Sequence, residues 1–385
     1  MPRRNFQPMG IGAALLANAL VLAVVAWAFW LHDYSAELFR TAVREDESVE
    51  WATFWAFLLA AAIFATAAWR QRRSGVRIPW FMAGLACFCW LFAMEEISWA
   101  QRLFAYRPPV YFLENNFQQE PNFHNVLGTD LRKAILKTII GGYGMLFPLL
   151  ALIPVIGRRL RKLGLSAPLP ELVPAFAATL YLYVDYPWSY AGEVVELMLG
   201  LAFLGVALAA FARASDRPEQ QATTRTHIAS IAGAGLTVAA LGLATAAAVR
   251  NQQAQWPENI ALASTEIEAL KADLLAMSDL ESESFPTNCG LHKRFHGWVE
   301  KYGKDELYAG RFADLRERGL PAERADYFLD PWNAPYWIRD RCDSDDDRRS
   351  IFVYSFGPNR QRDSSRWQLL GDDVGASVFA ASSNR

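Results

Sequence analysis

Apolar residues dominate the chain from Gly10 to Val249 and arrive in blocks of about 20, the length an α-helix needs to cross a hydrocarbon layer of about 30 Å. The blocks predict spans at about 11–31, 51–69, 79–99, 136–157, 172–186, 190–212 and 227–249. Trp51 and Trp69 bracket the second, where interfacial indoles are expected. Beyond Val249 the pattern changes. Ile260, Ala263, Ile267, Leu270, Leu274 and Met277 recur every three or four positions and predict an amphipathic helix over 257–280, opened by Pro257. Short helices are expected at 291–302 and 304–319. Pro335–Ile338 and Ile351–Tyr354 read as strands joined by an acidic turn at 343–347. The expected architecture is a polytopic α-helical membrane domain of about seven spans over residues 1–249. A small α+β outer domain, with one long helix and an antiparallel sheet, follows over 250–385.

Composition agrees with the first part of this reading: 52% of residues are hydrophobic, with 14 Trp and 24 Phe. The net charge is −2, and no basic patch interleaved with aromatics occurs, so nucleic acid is set aside as a partner and membrane lipids are retained. Basic residues are unequally shared. One set of loops carries Arg3, Arg4, Arg70, Arg72, Arg73, Arg77, Arg158, Arg159, Arg161, Lys162, Arg213, Arg217 and Arg225. The opposite set carries only Arg40, Arg44, Arg102, Arg107, Arg132 and Lys133. The rule that positive loops stay inside then places the N-terminus in the cytoplasm and 250–385 in the periplasm of a bacterial inner membrane. Ala26-Trp27-Ala28 has the form of a cleavage site, but the apolar core before it is too long for a signal peptide and Phe29-Trp30 follows, so a retained helix is expected. Cys87 and Cys89 lie on roughly opposite helix faces, as packing thiols do. Cys289 and Cys342 fall in the outer domain and are expected to pair, adding roughly 4 kcal/mol by the chain-entropy estimate.

The chemistry concentrates where the third apolar block ends, at Met94-Glu95-Glu96-Ile97-Ser98-Trp99-Ala100-Gln101-Arg102. On a continuous α-helix Glu95, Ser98, Trp99 and Arg102 share a face at i, i+3, i+4 and i+7, with Glu96 about 100° round. Carboxylates at this depth face a protein interior and mark a site or a proton path; alternatively Glu95 and Arg102 hold each other at the lipid interface. The same outer side collects the long loop 103–132, with Asn122, His124 and Asn125, then Asp185 at the end of span five, and Glu193 with Glu196 at the start of span six. Glu95, Glu96, His124 and Asp185 are the candidate catalytic residues, as acid/base groups or metal ligands. Ser98, Trp99, Gln101, Arg102, Asn122 and Asn125 are the candidate binding residues. A lone imidazole such as His124 also reads as a surface residue or a helix cap.

Glu95-Glu96-Ile97-Ser98-Trp99-x-Gln101-Arg102, followed by Asn122-x-His124-Asn125, resembles a signature of uncharacterised bacterial multi-span membrane proteins, a family that brings no reaction with it. A second resemblance lies in the tail. Asp330-Pro331-Trp332-Asn333-x-Pro335-Tyr336, then Val353-Tyr354-Ser355-x-Gly357, then Gly371-Asp372-Asp373 resembles the C-terminal region of the type II secretion major pseudopilin. That resemblance implies a long helix packed on a small sheet and a calcium-binding loop, here through Asp372 and Asp373. Arg360, Arg362 and Arg366 crowd Asn359 and Asp363 and depart from the family's loop. Span seven also lacks the pilin processing signal, so polymerisation is not expected.

The function expected first is an inner-membrane protein that presents a pseudopilin-like periplasmic domain to envelope or secretion proteins. The alternative is a membrane-embedded hydrolase acting on a lipid or lipid-linked substrate. Whether the chain is an enzyme stays open at this point, since no nucleophile elbow, HExxH, P-loop or GxGxxG occurs. A transporter is disfavoured by the lack of an internal repeat or paired broken spans.

Overall fold

The computed structural model describes residues 11–44, 46–73, 75, 79–104, 106, 108–109, 111–112, 120–214, 224–253, 257–280, 329–334, 336–340, 350–358, 363–364 and 369–380. Cys289, Cys342 and the helices expected at 291–302 and 304–319 lie outside the described residues. The chain divides into two compact units, Met1–Ala100 with Asn122–Ala248, and Gln101–Pro121 with Val249–Arg385.

The first unit is helical. In chain order come α1 (Ile11–Tyr34), α2 (Ala36–Val43), α3 (Ser48–Arg73) and α4 (Trp80–Glu96). The short α5 (Gln101–Phe104) belongs to the second unit. Then follow α6 (Thr129–Leu152), α7 (Pro154–Lys162), α8 (Val173–Asp185), α9 (Ala191–Arg213) and α10 (Thr224–Gln253). Among the described residues, five stretches are long and apolar enough to cross a membrane: α1, the run Ala36–Arg73, α6, α9 and α10. The other two expected spans are shorter, 17 residues in α4 and 13 in α8, against the roughly 20 that a full crossing takes.

α9 sits at the centre, packed against α3, α1 and α8. In its apolar window 78% of residues are buried, against 17% in α10, which marks α10 as peripheral. Small residues let the helices approach closely, as packing without a hydrophobic driving force requires. A Cβ on Gly242 of α10 would lie 3.0 Å from the backbone of Ala52 in α3, and beside it Trp55 donates to Thr245 Oγ1 at 3.0 Å. Phe57, Phe88, Phe92, Phe203 and Tyr143 form a contiguous aromatic layer inside the bundle. Asn18, within apolar α1, closes a polar clasp: its amide donates to Glu171 O at 2.8 Å and its oxygen accepts from Ala175 N at 2.8 Å. It thereby satisfies a backbone donor in the first turn of α8.

In the second unit α11 (Pro257–Leu280) packs on a three-stranded antiparallel sheet of β1 (Trp337–Asp340), β2 (Ser350–Ser355) and β3 (Val374–Ala380). Trp337 faces Tyr354 across β1 and β2, and Ser355 faces Val374 across β2 and β3. Ala263, Ile267 and Leu270, three members of the expected apolar stripe, are buried. Tyr336 OH reaches from the sheet side to Glu266 Oε2 at 2.5 Å. The third strand was not expected, because Val374-Gly-Ala-Ser-Val-Phe-Ala alternates too weakly to stand out.

Candidate functional site

The polar centre is built where α4 stops. Ser98, Trp99 and Ala100 take φ values of 46°, 55° and 63°, three consecutive left-handed residues without a glycine. The continuous helix that would set Glu95, Ser98, Trp99 and Arg102 on one face therefore does not exist. The reversal replaces that face with a turn, and left-handed backbone at non-glycine positions costs about 1–2 kcal/mol per residue. Gln101 and Arg102 fall in α5 of the second unit.

Glu95 and His124 nevertheless meet. Trp99 Nε1 donates to Glu95 Oε1 at 2.7 Å, and the backbone N–H groups of Phe123 and His124 donate to Oε2 at 2.6 and 3.0 Å. His124 Nδ1 lies 3.2 Å from the same oxygen. Val126 N and Leu127 N bond back to Phe123 O, so Glu95 caps a helical turn that begins at Phe123. With Nδ1 donating, the Nε2 of His124 is the basic ring nitrogen, and the imidazole is 40% exposed while Glu95 is only 16% exposed. Buried Asn122 donates to buried Ser98 Oγ at 3.3 Å, which ties the left-handed turn to the same loop. Asn125 Oδ1 accepts from Arg132 at 3.4 Å.

A second set of carboxylates stands beside this pair. Glu96 of α4 and Glu193 and Glu196 of α9 bring carboxylate oxygens within 4.8 Å of one another. Three hard oxygen donors at that spacing could hold a divalent cation. Among the described residues, Glu95 and Glu50 also lie near enough to add negative charge around Glu96, and His124 and Arg132 lie near enough to Glu196 to counter its charge. Glu50 is buried near the start of α3 and accepts from Asp46 N. α3, α4 and α9 thus deliver their acidic residues to one end of the bundle. At an effective dielectric of about 20, two like charges 4.8 Å apart repel by roughly 3.5 kcal/mol, so such a cluster needs protons, a cation or nearby bases.

Asp185 does not join them. It is exposed at the end of α8, where Tyr186 and Tyr190 turn the chain through left-handed conformations before α9 begins. The carboxylates beside Glu96 are Glu193 and Glu196. Their i, i+3 spacing at the start of an apolar block was the available signal; Glu50 and Arg132 carried none beyond being charges at span ends.

In the second unit Asp330 organises the tail motif. Its Oδ1 accepts from Trp332 N and Ala334 N at 2.9 Å each, and its Oδ2 accepts from Ser355 Oγ at 2.6 Å. Asn333 takes φ 64°. Asp363, Asp372 and Asp373 bring carboxylate oxygens within 4.8 Å of one another, and Ser364 N donates to Asp373 Oδ2 at 2.7 Å. Asp363, which the sequence placed among crowding arginines, completes the trio; Arg360, Arg362 and Arg366 lie outside the described residues. Comparison with family models, with curated proteins and with solved structures finds no match to this chain.

Proposed function

We propose that the first unit is a bacterial inner-membrane domain in which α4 and α8 complete about seven spans, with the N-terminus cytoplasmic and the second unit periplasmic. In such a compartment Cys289 and Cys342 would be paired. Within this frame the end of the bundle that carries Glu95 is an acid/base site, and the reaction class it suits best is hydrolysis of a lipid or lipid-linked substrate. The observation that carries this reading is the Glu95–His124 contact, with Glu96, Glu193, Glu196 and Arg132 around it.

In that reaction His124 Nε2 takes a proton from water as its oxygen adds to the carbonyl or phosphorus centre, and then returns the proton to the leaving alkoxide. Glu95 fixes the tautomer and stabilises the imidazolium, while the carboxylate trio offers a seat for a cation that would polarise the substrate oxygen. His124→Ala removes only the ring, because Glu95 keeps the two backbone donors of the 123–127 turn. Purified protein incubated with a total bacterial lipid extract should release headgroup or acyl product, and His124→Ala should lower the rate by at least about a hundredfold at unchanged melting temperature. Equal product release by both proteins would defeat the reading.

A second reading is favoured by the Asp330 clasp. A residue able to adopt φ 64° stands at Asn333, where the pseudopilin motif has glycine, and Ser355 of the second motif bonds directly to Asp330 of the first. This supports a pseudopilin-like fold that serves as a binding domain for envelope or secretion proteins, with Asp363, Asp372 and Asp373 fitting a hard cation such as calcium. The two readings are compatible in one chain.

A further inference from the structure

The bundle end opposite the carboxylates carries a built interfacial element, α7. Ile153 turns extended at ψ 118° and Pro154 opens the helix, so the chain leaves the apolar span α6 and starts a separate nine-residue helix. Two contacts hold it. A Cβ on Gly157 would lie 2.4 Å from Ala151 O, so only glycine admits this approach to the end of α6. At the other end Trp80 Nε1, from the first residue of α4, donates to Leu163 O at 3.1 Å.

The remaining surface faces out. Leu152, Ile153, Val155 and Leu163 are 47–62% exposed, and Arg158, Arg159, Arg161 and Lys162 are exposed among them. No Asp or Glu occurs from 151 to 170, and no carboxylate pairs with these cations among the described residues. The last turn of α3 brings Arg70, Arg72 and Arg73 to the same end. On α7, exposed aliphatic side chains interleaved with cations that meet no carboxylate among the described residues, directly after an apolar helix, match the boundary between acyl chains and phosphate headgroups. A soluble acidic partner would explain the cations but not the aliphatic residues between them.

We propose that α7 is a docking surface for anionic phospholipid headgroups, with Arg159, Arg161 and Lys162 binding the phosphates and Leu152, Val155 and Leu163 seated among the acyl chains. This surface stands apart from the acid/base site and holds or fails independently of it. The full-length protein in neutral detergent is titrated with short-chain phosphatidylglycerol, phosphatidylcholine, inorganic phosphate or polyglutamate, and retained lipid is read by native mass spectrometry alongside the thermal midpoint. Wild type is expected to retain phosphatidylglycerol over phosphatidylcholine, and less so as salt rises. At about fivefold per cation, Arg159→Gln, Arg161→Gln and Lys162→Gln together should cut that preference by about a hundredfold, and Arg159→Lys with Arg161→Lys should keep it. Equal retention of the two lipids by wild type, or an unchanged preference in the triple Gln variant, would overturn the proposal. So would inorganic phosphate or polyglutamate matching the thermal shift given by phosphatidylglycerol, since each places a different ligand on α7.

Discussion

Replacing Glu95 by Gln separates the part of this carboxylate that is shape from the part that is charge. The side chain takes four hydrogen bonds, one at Oε1 from the Trp99 indole and three at Oε2 from Phe123 N, His124 N and His124 Nδ1. A glutamine places its oxygen toward the three donors or toward the one, and in the better choice its NH₂ confronts the Trp99 N–H. Three bonds then survive as neutral ones, each weaker by about 1 kcal/mol than its charge-assisted counterpart, and a half-buried indole loses its acceptor at about 1–3 kcal/mol. Partial exposure of the group and small rearrangements reduce the sum, leaving an expected loss of about 2–4 kcal/mol.

The effect should be local before it is global. The Phe123 and His124 amides lose their charged acceptor, so hydrogen exchange in a 122–127 peptide should quicken by about thirtyfold for a 2 kcal/mol loss, alongside a lower unfolding midpoint in detergent. If Glu95 merely held the helix end at a wet interface, Gln would cost under about 1 kcal/mol and leave exchange at 122–127 unchanged. That outcome would refute the assignment of Glu95 as the cap that assembles the site.

Asn18→Leu should cost about 2–4 kcal/mol of bundle stability by thermal unfolding, because it strands Ala175 N–H and Glu171 C=O inside apolar surroundings; a neutral result would mean that the clasp is not formed. Ala100→Gly should raise stability by about 0.5–1 kcal/mol, since φ 63° is strained for alanine and free for glycine, and a loss of stability would show that the turn is not left-handed there. With a dissociation constant of about 10⁻⁴–10⁻³ M, calcium at 10 mM should stabilise the protein by about 1.5–3 kcal/mol, and Asp373→Asn should abolish the gain; a melting curve indifferent to calcium and chelator would remove the cation from the second unit.

Charged residues stand out against an apolar background, which is why Glu95, Glu96 and His124 could be picked out together from the sequence, and Glu95 and His124 do meet although 29 positions separate them. Which further carboxylate joins them was not legible. Asp185 and Glu193 both lie near span ends on the same side. Between them Tyr186 and Tyr190 take the chain through left-handed backbone, and Asp185 ends exposed while Glu193 lies beside Glu96 and Glu196. The five long apolar helices follow from composition and length, while α4 and α8 end early for reasons of local backbone geometry that hydropathy does not record. β1 and β2 are marked by Trp337, Ile338, Phe352, Val353 and Tyr354, whereas β3 alternates among small residues and owes its place to pairing with β2.

The turn at Ser98-Trp99-Ala100 was the least legible element, and its energetics explain why the loop after it is part of the site. Three left-handed residues without glycine cost about 3–6 kcal/mol in all, so nothing in their own propensities selects this conformation. What offsets the cost comes from outside the tripeptide: Asn122 donates to Ser98, the Trp99 indole finds Glu95, and Glu95 in turn holds the N–H groups of Phe123 and His124. All of these bonds except the one from Trp99 to Glu95 need the 122–124 segment in place. With the segment displaced, Glu95 loses three of its four donors and the strain at 98–100 has less to balance it. The reversal of α4, the capped turn at Phe123 and the orientation of His124 therefore form together, and the distance from His124 to Glu95 is set by the docking of that loop.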